Sequence, residues 1–129
     1  MRRVAALIVL GFACTVLLHG QTGEKEGKAW LDANIDRPAI NVTGIWNGGD
    51  WGLVALTQRE GGRRIIGTAD GWDVTGVVSG KKAYLLLWKK DMVAFSVKLT
   101  AEGAAQLTGV YAKGILSSAS KTIPIRLKK

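Results

Sequence analysis

From Ile40 onward, apolar side chains recur at every second position, and each short run stops at glycine-bearing or charged turn residues. A period of two sends successive side chains to opposite faces of an extended chain, so this region buries its apolar set as sheet. Eight runs carry the pattern: Ile40 to Trp46, Trp51 to Gln58, Arg64 to Thr68, Trp72 to Ser79, Ala83 to Trp88, Val93 to Leu99, Leu107 to Tyr111 and Thr122 to Lys128. The fifth is apolar on both faces. Between them stand Asn47-Gly48-Gly49-Asp50, Glu60-Gly61-Gly62, Asp70-Gly71, Ser79-Gly80-Lys81, Lys89-Lys90-Asp91 and Glu102-Gly103. Connections this short make hairpins, so neighbouring strands pair in an antiparallel meander. Only Ala112 to Ser120 is long enough for a real loop.

About eight short strands leave two architectures, an up-and-down barrel or a two-sheet sandwich. The barrel is preferred because a sandwich needs crossovers, and closure removes exposed edges. The expected fold is therefore all-β, a small antiparallel up-and-down barrel preceded by a short helical turn. Val42-Thr43-Gly44-Ile45-Trp46, Val74-Thr75-Gly76-Val77-Val78 and Leu107-Thr108-Gly109-Val110-Tyr111 share an apolar-Thr-Gly-apolar core. Glycines at matching strand positions are what a curling sheet requires. Convergent strand composition explains so short a unit equally well.

The first residues carry a different signal. Arg2 and Arg3 precede an apolar run from Val4 to Leu18, a basic segment before an apolar one too short to span a bilayer. Residues 1–20 read as a signal peptide cleaved after Gly20, which predicts a secreted or periplasmic protein with no membrane span after cleavage. A lipoprotein signal acylated at Cys14 is the rival reading; the apolar stretch Thr15 to Leu18, continuing past the cysteine, argues against it. Residues 21–39 read as a leader, polar from Gln21 to Lys28, with a helical turn in Lys28 to Arg37 marked by Trp30, Leu31 and Ile35 and ended at Pro38. Residues 40–129 are the barrel domain.

Cleavage would remove Cys14 and His19, the single cysteine and the single histidine. Taking Arg2 and Arg3 from the 18 basic residues leaves 16 against 10 acidic, a net of +6. Without thiol or imidazole there is no disulfide, no Ser-His-Asp or Cys-His arrangement and no ordinary zinc site. No catalytic residue, metal ligand or cofactor is expected. Asp70 and Asp73 bracket Trp72 in the manner of a glycosidase pair beside a sugar-stacking ring, yet Asp70-Gly71 reads better as a turn and Asp73 as an outward strand residue. Ser79-Gly80-Lys81-Lys82 is too short for a phosphate loop and leads into no helix. Asn41-Val42-Thr43 matches a glycosylation sequon but lies in a strand.

Five tryptophans fall into two groups. Trp30, Trp46 and Trp72 sit among apolar neighbours and read as core. Trp51 and Trp88 sit at strand ends, where a ring can line a barrel mouth, and with Tyr111 they are the candidate ligand-binding residues. The basic doublets Arg63-Arg64, Lys81-Lys82, Lys89-Lys90 and Lys128-Lys129 fall at turns or strand ends; they protect edges and aid solubility, or form a rim for an anionic surface. Nucleic acid is not an expected partner.

Gly44-Ile45-Trp46 on the first strand, preceded by Asn41-Val42-Thr43 and a helical segment around Trp30, resembles the opening of calycin-type barrels. Lipocalins, avidins and the bacterial periplasmic metalloprotease inhibitors share it. The resemblance implies that Trp46 closes one barrel end beneath a cation from the last strand, Arg126 or, in reserve, Lys128. Strict alternation turns Arg126 outward, and a bulge at Pro124 would reverse that parity. The tyrosine, serine and asparagine set of the avidin pocket is not matched, and the inhibitors' disulfide cannot form in the mature chain, so biotin is not an expected ligand.

These readings converge on an exported, non-catalytic barrel that binds a small apolar or amphipathic ligand. The alternative is a cell-envelope interaction or inhibitor module with a filled barrel. Leu56, Ile66, Leu86, Phe95, Leu107 and Ile125 are expected to crowd the lumen. Any remaining space is expected where Gly44, Gly76 and Gly109 approach one another, with a modest pocket at one mouth lined by some of Trp51, Trp88 and Tyr111.

Overall fold

The turn sequences do make hairpins. A computed structural model describes residues 23–59 and 61–129, and the expected signal segment lies outside them. One helix, α1 (Glu24–Asp32), precedes eight strands: β1 (Gly44–Asn47), β2 (Leu53–Arg59), β3 (Arg64–Ala69), β4 (Trp72–Ser79), β5 (Lys82–Lys89), β6 (Met92–Ala101), β7 (Gln106–Lys113) and β8 (Ile123–Lys128). Each strand pairs antiparallel with the next, and the sheet closes into a barrel in chain order. The closing seam between β1 and β8 is in register at Asn47 and Lys128. Three connections have only two residues, Asp70-Gly71, Gly80-Lys81 and Lys90-Asp91; at Asp70-Gly71, φ values of 46° and 83° give two successive left-handed residues between paired Ala69 and Trp72. That backbone matches the twist of a two-residue hairpin.

One face of every strand fills the barrel. Trp46, Leu56, Ile65, Leu85, Leu99 and Leu127 are among the side chains buried there, with Phe95 and Ile125 packed against them. Eight strands enclose just enough room for side chains, and here they occupy it. Ile66 and Leu86, expected inside, are not. Ile66 points outward and is exposed, because its neighbour Ile65 takes the inner position. Leu86 is fully buried on the outer face, beneath α1.

The helix explains why β5 is apolar on both faces. Ala83, Leu85 and Leu87 face the lumen, while Leu86 joins Val77, Val93 and Leu31 in a second cluster outside the barrel. Tyr84, Trp88, Trp30 and Ile115 border that cluster. Gly27 is what lets the helix sit so close: a Cβ there would stand 2.9 Å from Leu86 Cδ1 and 3.1 Å from Trp88 Cη2 and Val93 Cγ2. The helix therefore starts earlier than the Lys28 to Arg37 expectation. Glu24 and Glu26 occupy its first turn, where carboxylates favour the positive end of the helix dipole. Past Ala33 the chain leaves the helix to bond β4–β5: Asp36 N–H donates to Ser79 Oγ at 2.9 Å and Ala39 N–H to the Gly80 carbonyl at 2.9 Å. Ile35 is left 76 % exposed.

Gly76 and Gly109 serve the curl. A Cβ on either would collide with the neighbouring strand's carbonyl, that of Tyr84 or of Lys98, and Gly67 stands in the same relation to Ala55. No side chain fits where strands approach so closely. At Gly44 the Lys129 side chain takes the place instead, its Cε 2.8 Å from where a Cβ would stand; the pockets described below are lined by none of Gly44, Gly76 and Gly109, where space was expected.

Candidate functional site

The two barrel mouths differ. At the mouth where the chain enters, Trp46 is 1 % exposed and its indole Nε1 donates to the Val42 carbonyl at 2.9 Å. The cation over its ring comes from Lys129, with Nζ 5.0 Å from the centroid. Neither Arg126 nor Lys128 supplies it. No bulge at Pro124 reverses the parity, because β7 and β8 stay in continuous register from Tyr111↔Ile123 to Gln106↔Lys128. Arg126 therefore lies outside, opposite Thr108. Gln58 ties the entering segment down: its side-chain carbonyl accepts from Val42 N–H, and its amide donates to the carbonyls of Ile40 at 3.1 Å and Gly62 at 2.6 Å. A hollow of about 430 Å³ lies over this end, bordered by Ile40, Trp46, Leu107 and Lys129. That hollow is larger than the pocket at the other mouth, but its floor is Trp46, bonded and covered, which plugs the lumen at this end.

The other mouth is open. Its pocket, about 250 Å³, is lined by Asp50, Trp51, Asp70, Trp72, Phe95 and Tyr111. Four structural elements place the rings. Trp51 ends a single 3₁₀ turn, Gly49–Trp51, that bridges β1 and β2. That turn is held by Asn47 Oδ1, which accepts from Gly49 N–H at 2.9 Å, and by Gly48 N–H donating to the Gly52 carbonyl at 2.8 Å. Trp72 opens β4 directly after the Asp70-Gly71 turn, so its inward ring sits at the rim. Phe95 and Tyr111 are inward residues of β6 and β7 near the same end.

The rings contact one another at steep angles. Trp51 meets Tyr111 at 4.9 Å between centroids and 75°, and Phe95 at 5.6 Å and 60°. Phe95 meets Trp72 at 5.6 Å and 82°, and Tyr111 at 5.8 Å and 76°. Edge-to-face contacts of this kind are favourable and hold ring orientation. All four rings stay only half-buried, which leaves apolar surface facing solvent at the mouth. Lys89 Nζ lies 5.1 Å from the Trp72 centroid.

Of the three candidate binding residues, the fold brings Trp51 and Tyr111 together and places Trp88 elsewhere. Leu85 and Leu87 face the lumen, so alternation turns Trp88 outward, against α1. Its Nε1 donates to Thr75 Oγ1 at 2.7 Å, in a surface groove shared with Glu24, Asp73, Lys90 and Asp91. Asp70 and Asp73 line different pockets and form no carboxylate pair across one site. Sequence reasoning missed Trp72, Phe95, Asp50 and Asp70 as mouth residues. A signal for Trp72 was present: a tryptophan next to a two-residue turn must sit at a barrel rim even when its parity is inward. Among the described residues no group of three or more His, Cys, Asp or Glu side chains could hold a metal ion, and no helix is long and apolar enough to cross a membrane.

No family model, curated protein or solved structure matches the chain.

Proposed function

We propose that this chain is an exported, non-catalytic binding protein that takes a small amphipathic ligand at the Trp51 mouth. The observation that carries the reading is the contrast between the two ends. One is closed by Trp46, Gln58 and Lys129, while the other leaves four aromatic rings partly exposed around an open pocket. A concave, aromatic-lined site with a few polar groups at its edge suits a small molecule. The filled interior limits that ligand to the mouth.

The kinship with calycin-type barrels remains part of this proposal. It is supported by Gly44-Ile45-Trp46 on β1 and by a cation stacked over Trp46, supplied here by the residue after β8. Export is supported by Arg2, Arg3 and the apolar run that follows. Intact mass of protein recovered from the medium or envelope is expected to begin near Gln21; a mass retaining Met1, or a lipid adduct on Cys14, would contradict it.

Tryptophan fluorescence titrated with a panel of fatty acids, retinoid-like compounds, short sugars and small amphiphiles tests the binding role. Saturable quenching by a small amphiphile, lost in Trp51→Ala, is expected. Micromolar quenching by a long-chain lipid that survives Trp51→Ala would contradict it.

The second reading, an envelope interaction module, is favoured by one feature. Ile45 and Leu53, 65 % and 66 % exposed, stand with Ile66 on the outer wall of β1–β3, away from α1. No response across the whole panel would favour that surface over the mouth.

A further inference from the structure

We infer that the Trp51 mouth selects a compact organic cation, an alkylated ammonium group, a ligand class that deepens and rests on the reading of this mouth as a binding site. Three independent observations point there. First, the lining carries the two carboxylates Asp50 and Asp70 and no lysine or arginine. In a chain with 18 basic and 10 acidic residues, that local reversal of charge is the opposite of what the overall composition would distribute at random. Lys89 belongs to the same barrel end and stands over Trp72, outside the residues that line the pocket.

Second, the rings are inclined to one another by 60° to 82°. Parallel rings would form a slot for a flat ligand such as a sugar or a nucleobase. Walls set at steep angles surround a rounded group instead, and their negative π faces attract a cation that is weakly hydrated. Third, the pocket holds about 250 Å³, below the span of most drug-sized sites and in keeping with one head group. Lys89 Nζ at 5.1 Å from the Trp72 centroid shows that this ring already suits a cation on one side.

The carboxylates and the rings have separate tasks. The rings desolvate the alkyl shell of the cation and hold it by the quadrupole; the carboxylates stay at the wet rim and raise the local concentration of positive ligands. An ammonium with its methyl groups satisfies both, whereas a primary ammonium keeps its water and gains less from the rings. The cation could belong to a free solute or to a phospholipid head group; the chemistry at the mouth is the same.

The test compares choline with its neutral carbon isostere, 3,3-dimethylbutan-1-ol, by isothermal titration and by ¹⁵N-resolved shift mapping on the full mature chain. Choline is expected to bind about tenfold tighter than the alcohol, the scale of a cation–π contact in a partly desolvated site. Asp50→Asn with Asp70→Asn is expected to weaken choline about threefold, the share of the rim charges, while the share held by the rings remains. Asparagine tolerates the left-handed backbone of position 70, so the double variant keeps the turn. Far-UV circular dichroism checks that it folds. Dihexanoylphosphatidylcholine binding tighter than choline would assign the cation to a lipid head group, and equal binding to a free solute; both support the inference.

Equal binding of choline and the alcohol at the mouth would overturn cation selection and leave the binding site standing. Preference for methyl β-glucoside at the mouth would do the same. No shift at Trp51, Phe95 or Tyr111 with any probe would overturn the inference and the binding reading together.

Discussion

Ser96 is the one buried polar side chain without a partner among the described residues: its Oγ is shut from solvent and makes no hydrogen bond. It points away from the lumen, between Leu86 and Ala112 in register. A buried hydroxyl left unbonded loses its water and gains nothing in return. Ser96→Ala is therefore expected to raise stability by about 1 kcal/mol, read as a higher urea midpoint with an unchanged slope. A lower midpoint would show that the hydroxyl has found a partner. The contrast with Trp46 is instructive, because Trp46 is just as buried yet its single donor is satisfied by Val42. Lys129 sits over the ring, and its backbone is anchored there by its N–H, bonded to the Ala105 carbonyl at 3.0 Å.

At the scale of elements, the β6–β7 turn shows how local bonds set a charge. Glu102 accepts from Thr108 Oγ1 at 2.7 Å and from Gln106 Nε2 at 2.9 Å. These bonds, Thr108 first, hold its carboxyl below the ordinary range, and the Arg126 guanidinium adds in the same direction. A pKa lowered in the folded state means that the bonds help stability above the unfolded value and cease to help as pH falls through the folded one. Thr108→Val is expected to move the Glu102 midpoint upward in a ¹³C carboxyl titration, and an unmoved midpoint would show that the hydroxyl bond is not the cause. Arg126, read from the sequence as a barrel closer, thus acts on this turn from outside. Tyr84, between α1 and β5, shifts the other way: burial first, and the Asp36 charge second, raise its phenol above the ordinary value. The helix itself was legible only in part. Trp30 and Leu31 announced it, but Gly27, inside the stretch read as a polar leader, proves to be its point of closest approach.

For the whole molecule, strands and their order were legible because alternation and turn chemistry are local. Trp72 to Ser79 forms β4 with the bounds its pattern suggests, and the Asp70-Gly71 turn does what that dipeptide does in hairpins. The candidate site was harder to read. Trp51, Trp72, Phe95 and Tyr111 lie on four separate elements, and nothing in a linear spacing says that a barrel brings four strand ends into one ring. Trp88 shows the reverse failure, a strand-end tryptophan whose parity faces the helix rather than the mouth. Leu86 and Ile66 were misplaced for the same reason: hydrophobicity alone does not tell the inner wall from a helix-covered or bare outer one. For the whole molecule the proposal is a barrel filled along its length that takes ligand at one end only. Shift mapping of the ¹⁵N-labelled mature chain against the strongest binder in the fluorescence panel tests that claim most directly. Perturbations confined to Asn47–Leu53, Ala69–Asp73, Phe95 and Tyr111 are the predicted result; perturbations running down the lumen through Val74, Leu85 and Leu99 would contradict it.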